Sequence, residues 1–431
     1  MTVDTAAATE RHSEPGPPAP KPRRILVITN VWPLRRARQG NEHRLAVSLS
    51  ALAELGSIEI LHIIPEGVIA DYPEGEALDR EQSALWGVPV VTRCAPWFRQ
   101  RRAKTFFTYY LAGMVDAAAQ PEWAYVISKE SIAIVAAALA TRPDLVFLHR
   151  LHNALLVEKA GGFAGNTVFD LDDVEHKKLW RLCLLPPLRP GKLLMLGHIP
   201  ALVLATRRAA RRSLLTFVCS ELDARHLRRL GCGSGVVAVP NALPVPDDAP
   251  GVAPEPTVMF IGAYTYPPNV DAAERLATRI LPRIRAAMPE ARALIVGKGS
   301  ELLPSFGRGL PGVEHLGYVD DLAGLYARTR VVCCPLTNGG GTRIKLIEAA
   351  AYARPMVSTR IGAEGLEFRD GAEIVLADDD EAIAAACLAL LRDDARCAAL
   401  GAAARQRMQA CYAAPAVSER LSRILREKLA A

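Results

Sequence analysis

Cys334-Pro-Leu-Thr-Asn-Gly-Gly-Gly-Thr-Arg-Ile-Lys-Leu-Ile-Glu-Ala-Ala-Ala351 reads as a strand end, a glycine triplet and a helix beginning near Thr342. The first N–H groups of such a helix have no internal partner and the helix dipole adds positive potential, so the turn attracts anions. Gly339, Gly340 and Gly341 let a ligand come close to the main chain. Arg343 and Lys345 place positive charge in the first turn, against the dipole; that is poor for helix stability and good for a diphosphate. Glu348 follows about one turn later, where a carboxylate accepts two vicinal hydroxyls such as those of a ribose.

An isolated glycine triplet would be an ordinary helix entry. Three further loops change that reading: Phe260-Ile-Gly-Ala-Tyr264 with Pro267-Pro-Asn269, Val296-Gly-Lys-Gly-Ser300, and Leu316-Gly-Tyr-Val-Asp-Asp321. Each follows an apolar run fit for a buried parallel strand. In an open α/β sheet all four loops lie beyond the carboxyl ends of the strands, where ligands bind.

Outward from there, strands are expected at 258–261, 293–296, 313–319, 331–336, 356–359 and 374–376, with helices at 269–288, 321–329, 344–353 and 381–391. The first half opens with a strand at 25–29, a helix at 42–55 and a strand at 57–65. Further β/α signals fall at 124–127, 145–148, 167–171, 217–219 and 236–239. Residues 244–256 (PVPDDAPGVAPEP) hold five prolines and three acids, the composition of an interdomain linker. The fold class expected is α/β, with two doubly wound (Rossmann-like) domains facing across a cleft.

The chain has 431 residues, half of them hydrophobic and 23% charged, which excludes a disordered or fibrous protein and suits two domains. A net charge of +6 with 6% aromatics argues against nucleic-acid binding. That charge is concentrated. Twelve Lys or Arg lie between Lys177 and Arg229 against Glu221 and Asp223, an excess of ten, so the remainder is net −4. In this segment Lys177, Lys178, Arg181, Arg189, Lys192, Arg207-Arg208 and Arg211-Arg212 flank the apolar stretch 193–205. Two readings stand for it: a wedge on an anionic bilayer, or an amphipathic helix with a solvated basic face. The stretch is shorter than a membrane span and is interrupted by Gly197, His198 and Pro200. Nine cysteines without a CxxC pair suggest reduced thiols and a cytoplasmic protein, and residues 1–22 read as a disordered leader.

The ordered set Gly262, Pro268-Asn269, Gly297-Lys-Gly299, Gly317-Tyr318, Pro335, Gly341, Lys345, Glu348, Pro355 and Ala363-Glu-Gly365 resembles the donor-binding domain of GT-B glycosyltransferases of the retaining family 4 type. It covers about a third of the chain. The resemblance implies a nucleotide-sugar donor domain at 257–411, with Gly262, Asn269, Lys298, Gly299, Tyr318, Gly340, Gly341, Thr342 and Glu348 binding the donor. Residues 23–243 would form the acceptor-side domain, 244–256 the linker, and 412–431 a helix packing back on the first domain. There Asn30-Val-Trp-Pro33 and Gly40-Asn-Glu-His-Arg44 look like the family's first loop, with Arg44 near an anionic group. Cys219-Ser-Glu221 and Val239-Pro-Asn241 match strand ends near the close of that domain. His149 and His152 fall where family members place a histidine near the sugar, and a structural imidazole is the competing reading.

The sequence departs from the family at two points. Gly340 stands where many members carry a Glu on the donor sugar, and the usual Arg is absent after Gly262. Arg343 and Lys345 are the expected catalytic groups, neutralising the departing diphosphate. Asp170-Leu-Asp-Asp173 invites a metal reading, but that use belongs to the other glycosyltransferase fold, so no metal or cofactor is expected. Asp172, Asp173 and Glu175 would line the acceptor side or cap the helix that follows.

The implied activity is retaining transfer of a sugar from a nucleoside diphosphate to an acceptor hydroxyl, in polysaccharide or glycolipid biosynthesis. The protein would be cytoplasmic or peripheral on the inner face of the membrane. Its partners would be the nucleotide-sugar, a sugar or lipid-linked acceptor and an anionic membrane surface through 177–229, without nucleic acid. The alternative is a non-catalytic nucleotide-sugar-binding homologue or partner subunit. A dinucleotide dehydrogenase is excluded, because no G-x-G-x-x-G follows the first strand.

Overall fold

The computed structural model describes residues 22–430 apart from 33, 35–36, 38–39, 66–74, 98–105, 121–122, 124–125, 164 and 185–189. Seven parallel strands form the first sheet: β1 (Arg23–Thr29), β2 (Gly56–Pro65), β3 (Val90–Trp97), β4 (Leu145–His149), β5 (Thr167–Asp172), β6 (Leu215–Val218) and β7 (Val236–Ala238). Their order is 3-2-1-4-5-6-7. The chain therefore reverses direction across the sheet at β1, and a crevice opens beyond the carboxyl ends of β1 and β4. Nine helices accompany it among the described residues: α1 (Gly40–Ala53), α2 (Glu76–Trp86), α3 (Phe106–Val115), α4 (Lys129–Ala140), α5 (Leu151–Lys159), α6 (Glu175–Leu184), α7 (Pro190–Met195), α8 (Ile199–Arg212) and α9 (Glu221–Arg229).

The second sheet repeats the plan with β8 (Thr257–Ile261), β9 (Arg292–Val296), β10 (Val313–Gly317), β11 (Val331–Cys334), β12 (Met356–Ser358) and β13 (Val375–Leu376), in the order 10-9-8-11-12-13. Its helices are α10 (Pro267–Arg275), α11 (Leu281–Ala287), α12 (Leu322–Ala327), α13 (Ile344–Ala351), α14 (Asp380–Arg392), α15 (Asp394–Tyr412) and α16 (Ala414–Ala430). Here the reversal falls at β8, so Gly262 and the glycine loop after β11 flank the second crevice.

Parallel strands covered on both faces read as near-continuous apolar runs, as at 25–28, 258–261 and 331–334. Along β1, Ile25 and Val27 enter one core cluster while Leu26 and Ile28 enter the other. Burial of that kind contributes roughly 1.5–3 kcal/mol per large apolar side chain.

Several elements differ from the sequence-based expectation. Residues 124–125 lie outside the described set, and Val126 and Ile127 occupy a turn rather than a strand. The edge strand β3, read from VVTRCAPW, has too few apolar residues in a row to announce itself. The helix expected at 269–288 contains a π-helical turn at Leu276–Ile280, just before Pro282, which has no N–H to continue an α-helical ladder. Residues 190–212 form a nearly continuous 23-residue helical run, long and apolar enough by length and composition to cross a membrane, with 39% of its most apolar window buried.

The Pro-rich stretch 244–256 is tied down. Arg405 donates to the Pro246 carbonyl, Arg354 to those of Pro250 and Gly251, and Arg330 to that of Ala253. At the other end of the chain α16 crosses back to the first sheet. Its Val417, Leu421 and Leu425 join the core of Leu45, Leu49 and Leu52, and Ser422 donates to the Ala51 carbonyl at 3.1 Å.

Candidate functional site

The glycine loop leaves β11 and turns at Gly339 (φ 134°) and Gly341 (φ 68°) before α13, which starts at Ile344 rather than Thr342. A side chain at 341 has no room as well as the wrong φ, since its Cβ would lie 2.1 Å from Asp173 Oδ1 at the end of β5. Arg343 is 7% exposed and donates from Nη1 to the carbonyls of Gly340 and Gly341. Its Nε and Nη2 are buried without a partner among the described residues. Unpaired buried donors of a guanidinium are costly, which makes them a standing demand for an anion.

Lys345 donates to Asn269 Oδ1 at 2.8 Å and lies over the Phe260 ring, 4.0 Å from its centroid. Burial, with the Arg343 charge adding to it, brings its ammonium down to about pKa 8. Among the described residues no carboxylate lies within salt-bridge distance of Arg343 or Lys345. Glu348, one turn on, accepts from Tyr326 Oη at 2.9 Å, and Tyr326 stacks on Tyr352 with centroids 4.4 Å apart. Burial pushes the Glu348 carboxyl up from its ordinary value.

The neighbouring loops close around this point. A Cβ at Gly297 (φ 131°) would lie 1.9 Å from the Gly262 carbonyl oxygen, so glycine is required where the β8 and β9 ends meet. Gly262 in turn abuts the Asn269 amide and Lys345 Nζ, 2.8 and 3.0 Å from where its Cβ would be. Gly299 packs beside Tyr264, Lys298 is exposed, and Tyr318 is 56% exposed at the rim.

From the first half, Gly40 passes so close to α13 that a Cβ there would lie 2.2 Å from Ile344 Cδ1. Asn241 donates to Thr342 Oγ1 at 2.8 Å. Arg44 requires a correction. Expected to reach a ligand anion, it is 3% exposed and spent inside the protein on Asp170 (Nε to Oδ1 and Oδ2, 2.9 Å each), the Val239 carbonyl and Asn241 Oδ1.

His149 is fully buried, with Nδ1 3.1 Å from Thr29 Oγ1 and Nε2 unpartnered. Burial, then Arg150, holds its imidazolium well below the usual pKa, so the ring is neutral. His152, on α5 and 6.1 Å from the Trp123 ring, is likewise buried with a free Nε2, and burial lowers it to about pKa 3. Burial thus favours the neutral form of both rings. Arg150 (φ 74°) and Asp172 (φ 60°) sit in left-handed conformations that cost about 1–3 kcal/mol each, and Arg150 Nη2 meets Asp172 Oδ2 at 3.2 Å.

Asp172, Asp173 and Cys219 place one ligand atom each within 4.8 Å of one another. Protein cations already answer Asp172. Burial alone would raise Asp172, but Arg44 at 3.6 Å and Arg150 bring it to about pKa 2. The Cys219 thiol, in contrast, is pushed up by burial.

The sequence reading missed Arg181, on α6, as a part of this site. Arg181 forms a two-point ion pair with Glu364 (Nη2 to Oε1 2.7 Å) and donates to the Gly339 carbonyl at 2.8 Å, while Asn338 donates back to the Arg181 carbonyl at 2.8 Å. Lys178 lies against Gly340 and pairs with Glu175 at 3.7 Å; Lys177 pairs with Asp223 at 2.6 Å. The i, i+4 spacing of Lys177 and Arg181, opposite a glutamate in the Ala363-Glu-Gly365 turn, was the available signal.

Residues 255–393 match the family model of glycosyl transferases group 1. The whole chain has the GT-B fold: it superposes on the Anabaena HepE protein in complex with UDP and glucose (TM-score 0.58, 12% identity, 94% of this chain and 99% of that one). It also superposes on the sucrose-phosphate synthase of Thermosynechococcus elongatus (TM-score 0.67, 16% identity, 95% and 100%). The chain thus carries a glycosyl transferases group 1 domain within a GT-B architecture. Among curated proteins it is 37% identical over 186 residues to the phosphatidyl-myo-inositol mannosyltransferase of Mycobacterium leprae, and 33% over 183 residues to that of Mycolicibacterium smegmatis. Each match covers 40% of this chain and about half the length of the relative (48% and 47%). These relatives do not favour the non-catalytic alternative.

Proposed function

We propose that this chain transfers a hexosyl group from a nucleoside diphosphate sugar to a hydroxyl of a lipid-linked acceptor, with retention, at the cytoplasmic face of the membrane. The observation that carries the reading is Arg343. Its two buried, unpartnered donors sit at the start of α13, beside a Lys345 that has no carboxylate partner among the described residues. In this reading the departing diphosphate sits over the glycine loop, where Arg343, Lys345 and the helix terminus stabilise the charge as it develops. Glu348 takes the ribose hydroxyls. His149, held neutral, offers Nε2 to the sugar as a hydrogen-bond partner and not as an acid. Asp173 and Glu175 stand on the acceptor side, and no metal is required. A lipid-linked acceptor is supported by the names of the mannosyltransferase relatives, and a nucleotide donor by the UDP bound to the Anabaena neighbour.

The test is release of nucleoside diphosphate from a panel of uridine and guanosine diphosphate hexoses, with and without phosphatidylinositol. Turnover is expected with one donor and is abolished in Lys345→Ala, whose thermal unfolding is cooperative. Full turnover in that folded variant overturns the assignment.

A further inference from the structure

Asp173 makes no hydrogen bond and no ion pair among the described residues, unlike the other carboxylates around the glycine loop. Glu364 is held by Arg181, Asp172 by Arg150 and Asp223 by Lys177, and Glu348 accepts from Tyr326. Nor does Asp173 cap α6, the local role that its place just before the helix suggests, since no N–H of that helix donates to its carboxylate. Both groups that could join it around a cation are spent as well. Asp172 faces two arginines, and the Cys219 thiol donates to Asp172 Oδ1 at 3.2 Å.

The backbone delivers this unanswered carboxylate to the loop at a cost. β5 shifts register against β6 between Asp170 and Asp172, and Asp172 takes φ 60°, which turns the chain out of the strand. Conformations of this kind persist only where the surroundings fix them, and they gather at binding sites. The Lys178 stem lies against Gly340, with its Cβ 3.2 Å from where a Cβ on that glycine would be, so position 340 offers main chain alone. Lys178, Arg150 and Arg343 act on Asp173 through their charge, yet none pairs with it within 4.0 Å.

Arg343, two residues beyond Gly341, has the opposite want: buried guanidinium nitrogens without an acceptor. The two groups lie near enough to feel each other's charge and do not meet. A ligand that satisfies both presents phosphate oxygens to the guanidinium and uncharged hydrogen-bond donors to the carboxylate. A sugar joined to a diphosphate has that order of groups. A bare nucleoside diphosphate answers Arg343 alone and brings negative charge toward Asp173.

We infer that Asp173 accepts hydrogen bonds from hydroxyls of the transferred sugar, so that the first half reads the sugar whose diphosphate is held by the second. This rests on the proposed function and gives it a specificity residue. The test is calorimetric titration of the full chain with UDP, GDP and the panel of uridine and guanosine diphosphate hexoses, comparing wild type with Asp173→Asn, which keeps the shape and removes the charge. The nucleotide sugar bound by the wild type is expected to bind about tenfold more weakly to Asp173→Asn, while its nucleoside diphosphate stays within about twofold. Among monodeoxy analogues of that sugar, the one lacking the hydroxyl that Asp173 meets should lose about tenfold with the wild type and nothing further with Asp173→Asn. The variant's Tm should be unchanged or higher, because an unpaired carboxylate is removed.

An unchanged affinity for the nucleotide sugar, an equal loss for the nucleoside diphosphate, a lowered Tm, or a divalent-ion dependence of donor binding that Asp173→Asn abolishes overturns the inference. Nucleoside diphosphate release in the presence of phosphatidylinositol is read separately. Release with an unaltered sugar preference in Asp173→Asn sinks this inference alone. Sugar binding that depends on Asp173, without release, sinks the transfer reaction alone, and a wild type that binds no nucleotide sugar sinks both.

Discussion

Asp173 Oδ1 lies 2.1 Å from the place a Cβ would occupy on Gly341, so the end of a first-sheet strand fills the side-chain position of the glycine loop in the second half. Burial, then the neighbouring Asp172, raises the Asp173 carboxyl above its ordinary value. Gly341→Ala meets both this clash and a left-handed φ, together about 1–3 kcal/mol. UDP or GDP binding should weaken at least about tenfold, measured by calorimetry. Adding Asp173→Ala, which removes the carboxylate, should recover part of that loss; no recovery would mean that φ alone is responsible.

Arg181 and Glu364 clamp the loop from α6. Their side chains are each 26% exposed, so solvent screens the pair only partly. Arg181→Ala and Glu364→Gln should each raise the donor KM several-fold, with a double-mutant coupling of about 0.5–3 kcal/mol. Burial opposes ionisation of Glu364, and the Arg181 hydrogen bond overcomes it, leaving its pKa lowered. A depressed carboxyl stabilises the fold above its unfolded pKa and loses that contribution as pH falls through the folded value. Acid unfolding followed by circular dichroism should therefore begin at a higher pH than in Glu364→Gln only if the pair is absent in solution.

Lys345, brought to about pKa 8 by burial, loses its charge as pH rises through about 8. Affinity for UDP or GDP should break downward above about pH 8, and Lys345→Arg should remove the break. The stability sign is opposite to that of a paired lysine. The folded state binds its proton less tightly than the unfolded one, so this residue costs stability below about pH 8, and the cost disappears as pH rises toward the unfolded value. Lys345→Met should raise Tm at pH 7 while abolishing diphosphate binding.

Tyr326 Oη holds Glu348 at 2.9 Å. If Glu348 meets the ribose, Glu348→Gln weakens a nucleoside diphosphate about tenfold and leaves inorganic diphosphate unchanged. An equal loss for both ligands would place the carboxylate at the phosphates instead. Tyr326→Phe should give a smaller loss with the same selectivity.

Much of this was legible where chemistry and period coincide. Buried parallel strands such as 25–29 and 331–334 announce themselves as apolar runs, and the glycines at 339–341 are fixed by backbone geometry that other residues cannot adopt. The reading failed where the partner is remote in sequence. Arg44 looked like a ligand-facing cation because Asp170, which consumes it, lies 126 residues away. Arg181 looked like part of a surface charge run because Glu364 is 183 residues away. The prolines at 244–256 read as an interdomain linker, but not the arginines that hold it, which come from three distant segments.

The tie between Leu243 and Ala413 has a mechanical consequence. Leu243 N–H donates to the Tyr412 carbonyl at 3.0 Å, and Ala414 N–H donates to the Leu243 carbonyl at 2.9 Å. The chain passes between its two halves at these two places, and they are laced to each other like the pins of one door hinge. Because the proline stretch moves with the second half and α16 with the first, little free chain remains to absorb a screw or a slide. Relative movement of the two halves is thereby constrained at the 243/413 pair, and opening the loop side means parting Arg181 from Glu364.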